Sequence, residues 1–247
     1  MKNQTIFTIG HSRHKIDCFI RLLRYHQCNI IIDVRSLPYS RIAPQFNRHR
    51  LSLSLRESKI HYMGFQKEFG ARQTSSYLLD SNGKVDFDKV RLSSSFKDGI
   101  ARLTRGLDLG YRIALMCSEA NPFECHRLSS ISYQVIQEGG RVSHILKDGD
   151  LKENAKMEDE LISKYKNKLP RSDLFKQITR KDQIEKAYRL RGKDIAFSLA
   201  EQKEKMKAKE IEYSVRLSNN ILQNQHYKTP NLFYSVDFGQ DYIRELR

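Results

Sequence analysis

The sequence predicts an α/β fold, one three-layer domain with a mainly parallel sheet, followed by a mostly helical extension. Two observations carry this. Four short apolar runs, residues 4–9, 30–35, 112–116 and 141–146, are separated by segments with helical spacing of apolar side chains. The links between the runs exceed what a hairpin needs, which makes the strands parallel neighbours in βαβ units.

Taken in order, residues 4–9 form a strand ending in Gly10-His11-Ser12-Arg13. Residues 15–27 form a helix with Phe19, Ile20, Leu22 and Leu23 on its apolar stripe. The strand over 30–35 runs into Ser36-Leu37-Pro38-Tyr39-Ser40-Arg41, and a helix over 51–58 and a short strand over 60–65 follow. Residues 69–84, with Gly70, Asn82, Gly83 and several serines, read as a long loop. Residues 85–107 are helical. The strand over 112–116 leads into Cys117-Ser118-Glu119, and Asn121-Pro122 then signals a helix over 123–138, with Asn121 as N-cap and Pro122 in the first helical position. After the strand over 141–146, Asp148-Gly149-Asp150 makes a turn, and a helix over 153–165 closes the domain. The α/β domain is thus assigned to residues 1–168 and the basic, mostly helical extension to 169–247. Within the extension, residues 178–222 are highly charged, with Glu201–Lys205 and Glu204–Lys207 at helical spacing. That pattern suits a solvated helix pair, or an arm for nucleic acid or a protein partner. Residues 231–238 read as an edge strand.

The charge narrows the partners. With 44 basic and 29 acidic residues the net charge is +15 and the pI 9.7, which suits a polyanion such as nucleic acid or a nucleotide. The excess is spread, +9 over residues 1–150 and +6 over 151–247. Arg13, Arg35, Arg41, Arg48, Arg50, Arg72 and Arg127 fall near the predicted strand ends. No apolar run approaches the ~18 residues of a membrane span, so no membrane partner is expected. The first residues lack a signal-peptide core, and Cys18, Cys28, Cys117 and Cys125 form no C-x-x-C pair. A cytoplasmic protein with reduced thiols is the expectation.

Ligands of open α/β sheets bind at the carboxyl ends of strands. Those ends deliver His11, Ser12, Asp33, Arg35, Ser40, Arg41, Cys117 and Glu119 to one edge, with Cys125, His126 and Arg127 just beyond. The blocks Thr8-Ile9-Gly10-His11-Ser12, Asp33-Val34-Arg35-Ser36-x-Pro38-x-Ser40-Arg41, Met116-Cys117-Ser118-Glu119 and Cys125-His126-Arg127 resemble the signature blocks of domain-of-unknown-function family 488, over residues 5–165. The resemblance implies a Rossmann-like fold and a pocket built from those blocks. It implies no reaction.

Four chemistries compete for this pocket. A thiol nucleophile would be Cys117 or Cys125, and Cys125 gains from a helix N-terminus, His126 and Arg127, though a buried packing cysteine is the plain alternative. Metal binding by Cys117, Cys125, His126 and His11 matches no compact zinc spacing, and adjacent ligands on one helix diverge, so no metal is assigned. Acid/base work would fall to Glu119 and His11, with Asp33 facing the same side as Arg35 and so suited to a structural ion pair. Binding alone would use Arg35, Arg41 and Arg127 as forks for phosphate, helped by Ser12, Ser36 and Ser40. No P-loop or G-x-G-x-x-G occurs, and no cofactor is indicated. The expectation is a nucleotide- or nucleic-acid-processing enzyme, a hydrolase or transferase, with Glu119, His11, Cys125 and Cys117 catalytic and Ser12, Asp33, Arg35, Ser40, Arg41, His126 and Arg127 holding the ligand. The alternative is a non-catalytic nucleic-acid-binding or complex-forming subunit of a modification or defence system.

Overall fold

A computed structural model describes residues 1, 4–201 and 204. Residues Met1–Leu199 form one compact unit. The charged helix pairs beyond residue 204 and the strand expected over 231–238 lie outside the described residues.

Six strands make one sheet in the order β3-β2-β4-β1-β5-β6, with β1 Thr5–Gly10, β2 Ile30–Asp33, β3 His61–Gly64, β4 Ile113–Cys117, β5 Arg141–Ile145 and β6 Leu151–Glu153. The first five are parallel, and β6 pairs antiparallel with β5. Alternation at period two sorts the side chains onto two faces. Phe7, Ile9, Ile31, Ala114 and Met116 pack with Phe19, Ile20 and Leu23 of α1 (Ile16–Tyr25) and Leu51 and Leu55 of α2 (Arg48–Glu57). Ile6, Ile30, Ile32, Ile113 and Leu115 face Phe69 of α3 (Gln66–Phe69), Val90 of α4 (Phe87–Leu92) and Phe96, Ile100 and Leu103 of α5 (Ser94–Asp108). This is the expected three-layer α/β fold.

Several predicted boundaries shift, each for a local reason. The second strand stops at Asp33 because the Asp33 carboxylate accepts from the Arg35 N–H at 3.1 Å and turns the chain. Residues 85–107 split into α4 and α5 at Ser93, whose side chain caps the second helix through Phe96 N–H. The loop over 69–84 is tied by a short 3₁₀ turn, Ser76–Leu78, and a Leu79–Val85 bridge. The turn after β5 continues into β6, where the sequence showed no strand pattern.

The largest correction concerns residues 123–138. Asn121 does cap, accepting from Phe123 N–H at 3.0 Å, but it caps only a 3₁₀ turn, Pro122–Glu124. Cys125 is extended (φ −129°, ψ 142°), and the chain re-enters helix as a π-helical stretch, Arg127–Ser132, before α6 (Tyr133–Gln137). Helix propensity was overruled by the pull of residues 125–127 toward the sheet edge. Beyond β6, α7 (Asn154–Tyr165) and α8 (Arg180–Ile195) pack through Met157, Leu161, Tyr165, Ala187 and Tyr188. So α8, which lies in the stretch assigned from sequence to an extension, shares a core with α7. Among the described residues no helix is long and apolar enough to cross a membrane.

A buried polar chain threads the sheet. Arg127 Nε donates to Thr8 Oγ1 (3.3 Å), Thr8 meets His144 Nδ1 (2.8 Å), His144 Nε2 meets Asn154 Oδ1 (3.2 Å), and Asn154 Nδ2 donates to the Tyr188 hydroxyl (2.9 Å). Desolvation, then the nearby Arg127 charge, lowers the His144 pKa from 6.5 to about 3. The unfolded state therefore binds the extra proton across that window, and stability should be full above pH 6.5 and fall as the pH drops toward 3. The expected slope from this one group is up to about 1.4 kcal/mol per pH unit. Urea unfolding of wild type and His144→Gln across this range should show a flatter pH dependence in the variant. Identical slopes would mean that His144 is not held neutral.

Candidate functional site

The site lies where neighbouring strands part company. After β2 the chain leaves toward the face of α2, and after β4 toward the opposite face, so a crevice opens at their carboxyl ends. β1 stands on the other side of β4, with Gly10 beside Cys117. A Cβ on Gly10 would lie 1.8 Å from the Glu119 carbonyl oxygen, so glycine is what lets the chain after β4 pass over β1. Backbone bonds from His11 N–H to Cys117 O and from Ser12 N–H to Ser118 O, both 2.9 Å, extend the pairing past the strand ends.

Two buried arginines shape this edge, and both are occupied. The Arg35 guanidinium donates to Asp33 through Nε (2.9 Å) and Nη2 (2.6 Å) and to the Phe46 carbonyl (2.9 Å). Its Nη1 lies 3.3 Å from His11 Nε2. Burial opposes the Arg35 charge, yet the bonds to Asp33 outweigh it and raise the pKa. Tyr62 completes the set with a 2.8 Å bond to Asp33. Arg127, fully buried, donates to the carbonyls of Glu119 (2.7 Å) and Ala120 (3.0 Å) as well as to Thr8. The structure thus places Arg127 beneath the loop that carries Glu119 rather than in the opening above it. His11 stacks on Phe46 (4.3 Å between centroids), and burial, then Arg35, pushes its pKa down to about 4. It backs the arginine without reaching the opening. Ser40 ties a turn, its N–H donating to Asn47 Oδ1 and its Oγ accepting from Ala43 N–H, and Arg41 is exposed nearby.

What opens to solvent is a cavity of about 310 Å³. Cys117, Glu119, Cys125 and His126 line it, Arg35 contributes from behind, and Tyr39 and Arg72 stand at its rim. The Cys117 thiol donates to Glu119 Oε2 at 2.8 Å. His126 Nδ1 sits 3.9 Å from Cys117 Sγ and 3.7 Å from Cys125 Sγ, and the three ligand atoms lie within 4.8 Å of one another. The expectation that Cys125 and His126 diverge assumed a helix at Cys125; the extended backbone there brings them together. His126 Nε2 faces the Val34 carbonyl at 3.1 Å, which fixes the ring and turns Nδ1 toward the sulfurs.

The electrostatics separate the two thiols. The hydrogen bond with Cys125 and then burial push the Cys117 pKa well up. Burial also opposes the Cys125 thiolate, but the bond from Cys117, Arg127 and His126 together bring its pKa well down. The Glu119 pKa is raised, first by desolvation of its inward-turned carboxyl and then by Cys125.

α8 contributes a residue the sequence gave no reason to select. Arg191 Nε donates to the Phe123 carbonyl at 2.7 Å, and its Nη2 pairs with Glu124 at 2.8 Å. This clamps the turn that presents Cys125. Arg191 and Phe123 are 68 residues apart in the chain, beyond any local motif.

Residues 15–133 match the domain of unknown function DUF488. The resemblance read from the motif blocks is borne out over that stretch, which contains β2, β4 and the whole Cys117–Arg127 segment. No curated protein and no solved structure matches the chain.

The buried arginines generate a test. Arg127→Ala strands two loop carbonyls and should cost about 3 kcal/mol or more. Arg35→Ala leaves Asp33 buried and unpaired and should cost about 3–5 kcal/mol. Lysine at either position should recover only part, because it lacks the planar fork. Urea midpoints measure this; alanine variants as stable as wild type would mean that neither guanidinium holds the fold.

Proposed function

We propose that the cavity is the active site of an enzyme that acts on a nucleotide, free or within nucleic acid, by hydrolysis or group transfer. One observation carries the reading. A carboxyl, two sulfurs and an imidazole converge on the floor of a cavity whose rim offers an arginine and an aromatic ring. Phosphate binding alone has no use for such a floor. The rim suits a nucleotide: Arg72 is exposed and able to reach phosphate oxygens, and Tyr39, 56% exposed, presents a face on which a base can stack. The net charge of +15 favours the approach of any polyanion.

In this reading Glu119 moves the proton. Its carboxyl sits on the cavity floor, where it can take a proton from an attacking water or hydroxyl and hand it to the departing group. Arg35 and His11, locked by Asp33 and Phe46, hold the wall of the crevice in place. Arg127 sets the height of the Glu119 loop.

Nucleoside phosphates and single-stranded DNA and RNA oligonucleotides, incubated with the full chain and followed by mass spectrometry, test the activity. Glu119→Gln, which keeps the side-chain shape, should lower turnover about a hundredfold or more while binding persists. Full activity in this variant removes Glu119 from catalysis.

Binding has its own signature. Affinity for a labelled oligonucleotide should fall at least tenfold between roughly 50 and 200 mM salt, because neutralised phosphates release counterions. Arg72→Ala should weaken binding and flatten the salt dependence. Salt-dependent binding without turnover of any of these compounds would move the protein to the alternative, a non-catalytic nucleic-acid-binding subunit. No binding at low salt would overturn both.

A further inference from the structure

We propose that Cys117, Cys125 and His126 form a binding site for a borderline-soft divalent metal ion, zinc foremost, with the fourth coordination position open to the cavity beside Glu119. The inference uses the same pocket as the proposed active site but does not depend on what that pocket acts on.

The ligand set comes first. Two thiol sulfurs and an imidazole nitrogen are the donors that zinc prefers over the hard oxygen sites of magnesium or calcium. Among the described residues no other group of three His, Cys, Asp or Glu side chains converges in this way.

The spacing agrees. Zinc–sulfur bonds of about 2.3 Å and zinc–nitrogen bonds of about 2.0–2.1 Å at tetrahedral angles separate neighbouring ligand atoms by roughly 3.5–3.8 Å. The observed separations from His126 Nδ1 are 3.7 Å to Cys125 Sγ and 3.9 Å to Cys117 Sγ. All three ligand atoms lie within 4.8 Å of one another, so the sulfurs need move together by no more than about 1 Å to seat an ion.

The surroundings are those of ligands held in advance. The His126 ring is oriented by the Val34 carbonyl at its far nitrogen, the arrangement that leaves the near nitrogen directed at a metal. The Arg127 backbone N–H points at Cys125 Sγ from 3.5 Å, a donor suited to a coordinated thiolate. Arg191 and the Asn121 cap hold the turn that brings Cys125 in, and the π-helical stretch begins directly after His126. Each of these constraints acts on residues that propensity alone would have wound into a helix. Three protein ligands with one open direction is the pattern of a catalytic metal, whereas a structural zinc site is closed by four. The Glu119 carboxyl, 2.8 Å from Cys117 Sγ, lies on that open side. Metal binding releases the thiol protons to solvent, that of Cys117 by way of the Glu119 carboxyl it now faces, so that both sulfurs coordinate as thiolates.

The test uses the full chain, reduced and stripped of metal with a chelator, and titrated with Co²⁺. The expected result is one ion per chain, with the intense visible bands of a tetrahedral ion, sulfur-to-cobalt charge transfer in the near ultraviolet, and displacement of the spectrum by Zn²⁺. Cys117→Ser and Cys125→Ser should each lose most of the charge-transfer intensity. His126→Gln retains a donor for Val34 and should weaken metal binding by at least a hundredfold in a folded protein. Cys18→Ser, remote from the site, should titrate as wild type. An octahedral spectrum without charge transfer, or no binding by reduced wild-type protein whose circular dichroism shows it folded, overturns the site whatever the variants do. Oligonucleotides and nucleotides play no part in this titration. A metal-free result would leave the nucleotide reading standing, and a bound metal without nucleotide turnover would do the reverse.

Discussion

The Arg127 guanidinium lies wholly inside the protein and spends its donors on the carbonyls of Glu119 and Ala120 and on the hydroxyl of Thr8. A buried cation is costly unless its hydrogen bonds are met, and here backbone and hydroxyl oxygens meet them. The consequence is geometric. The chain after β4 is tied to the helix that follows it and to β1 beneath it, and Gly10 supplies the clearance. The position of Glu119, the extended backbone at Cys125 and the convergence of the sulfurs on His126 all follow from that tie.

A second anchor holds the opposite wall. Asp33 ends β2, accepts from the Arg35 backbone, and pairs with the Arg35 side chain, which in turn reaches Phe46 and His11. Wall and floor are therefore fixed by two separate arginine systems, one after β2 and one after β4. Because neighbouring strands send their connections to opposite faces of the sheet, the space between the two systems stays open. The opening is where the chemistry-bearing residues that follow β2 and β4 meet, as expected of an α/β sheet.

α8 belongs to this arrangement through polar contacts as much as apolar ones. Tyr188 joins the buried chain that runs through Asn154, His144 and Thr8 to Arg127, while Arg191 grips Phe123 and Glu124. Polar groups buried at this depth are satisfied in one arrangement and costly in others, so the helix is held in a single register against the turn that carries Cys125.

The sequence by itself determined the five parallel strands, though not β6, because a short apolar run bounded by turn residues is a local property that survives any packing. It likewise determined the Asn121 cap, which acts over two residues, and the edge to which the motif blocks are delivered. The DUF488 match, over residues 15–133, covers β2, β3, β4 and the blocks from Asp33 to Arg127. Tertiary structure alone decided how the delivered residues meet. Whether Cys125 and His126 diverge or converge depends on one backbone torsion pair at Cys125, and that is held by Arg127, which reaches back to the Glu119 carbonyl, and by Arg191 from a distant position in the chain. Which arginines face a ligand and which hold the fold depends on burial, and Arg35, Arg72 and Arg127 are alike in sequence but sit respectively behind, at the rim of and beneath the cavity. Local patterns encode directions along a strand or helix; distances between side chains at a sheet edge are encoded only by the packing that closes it.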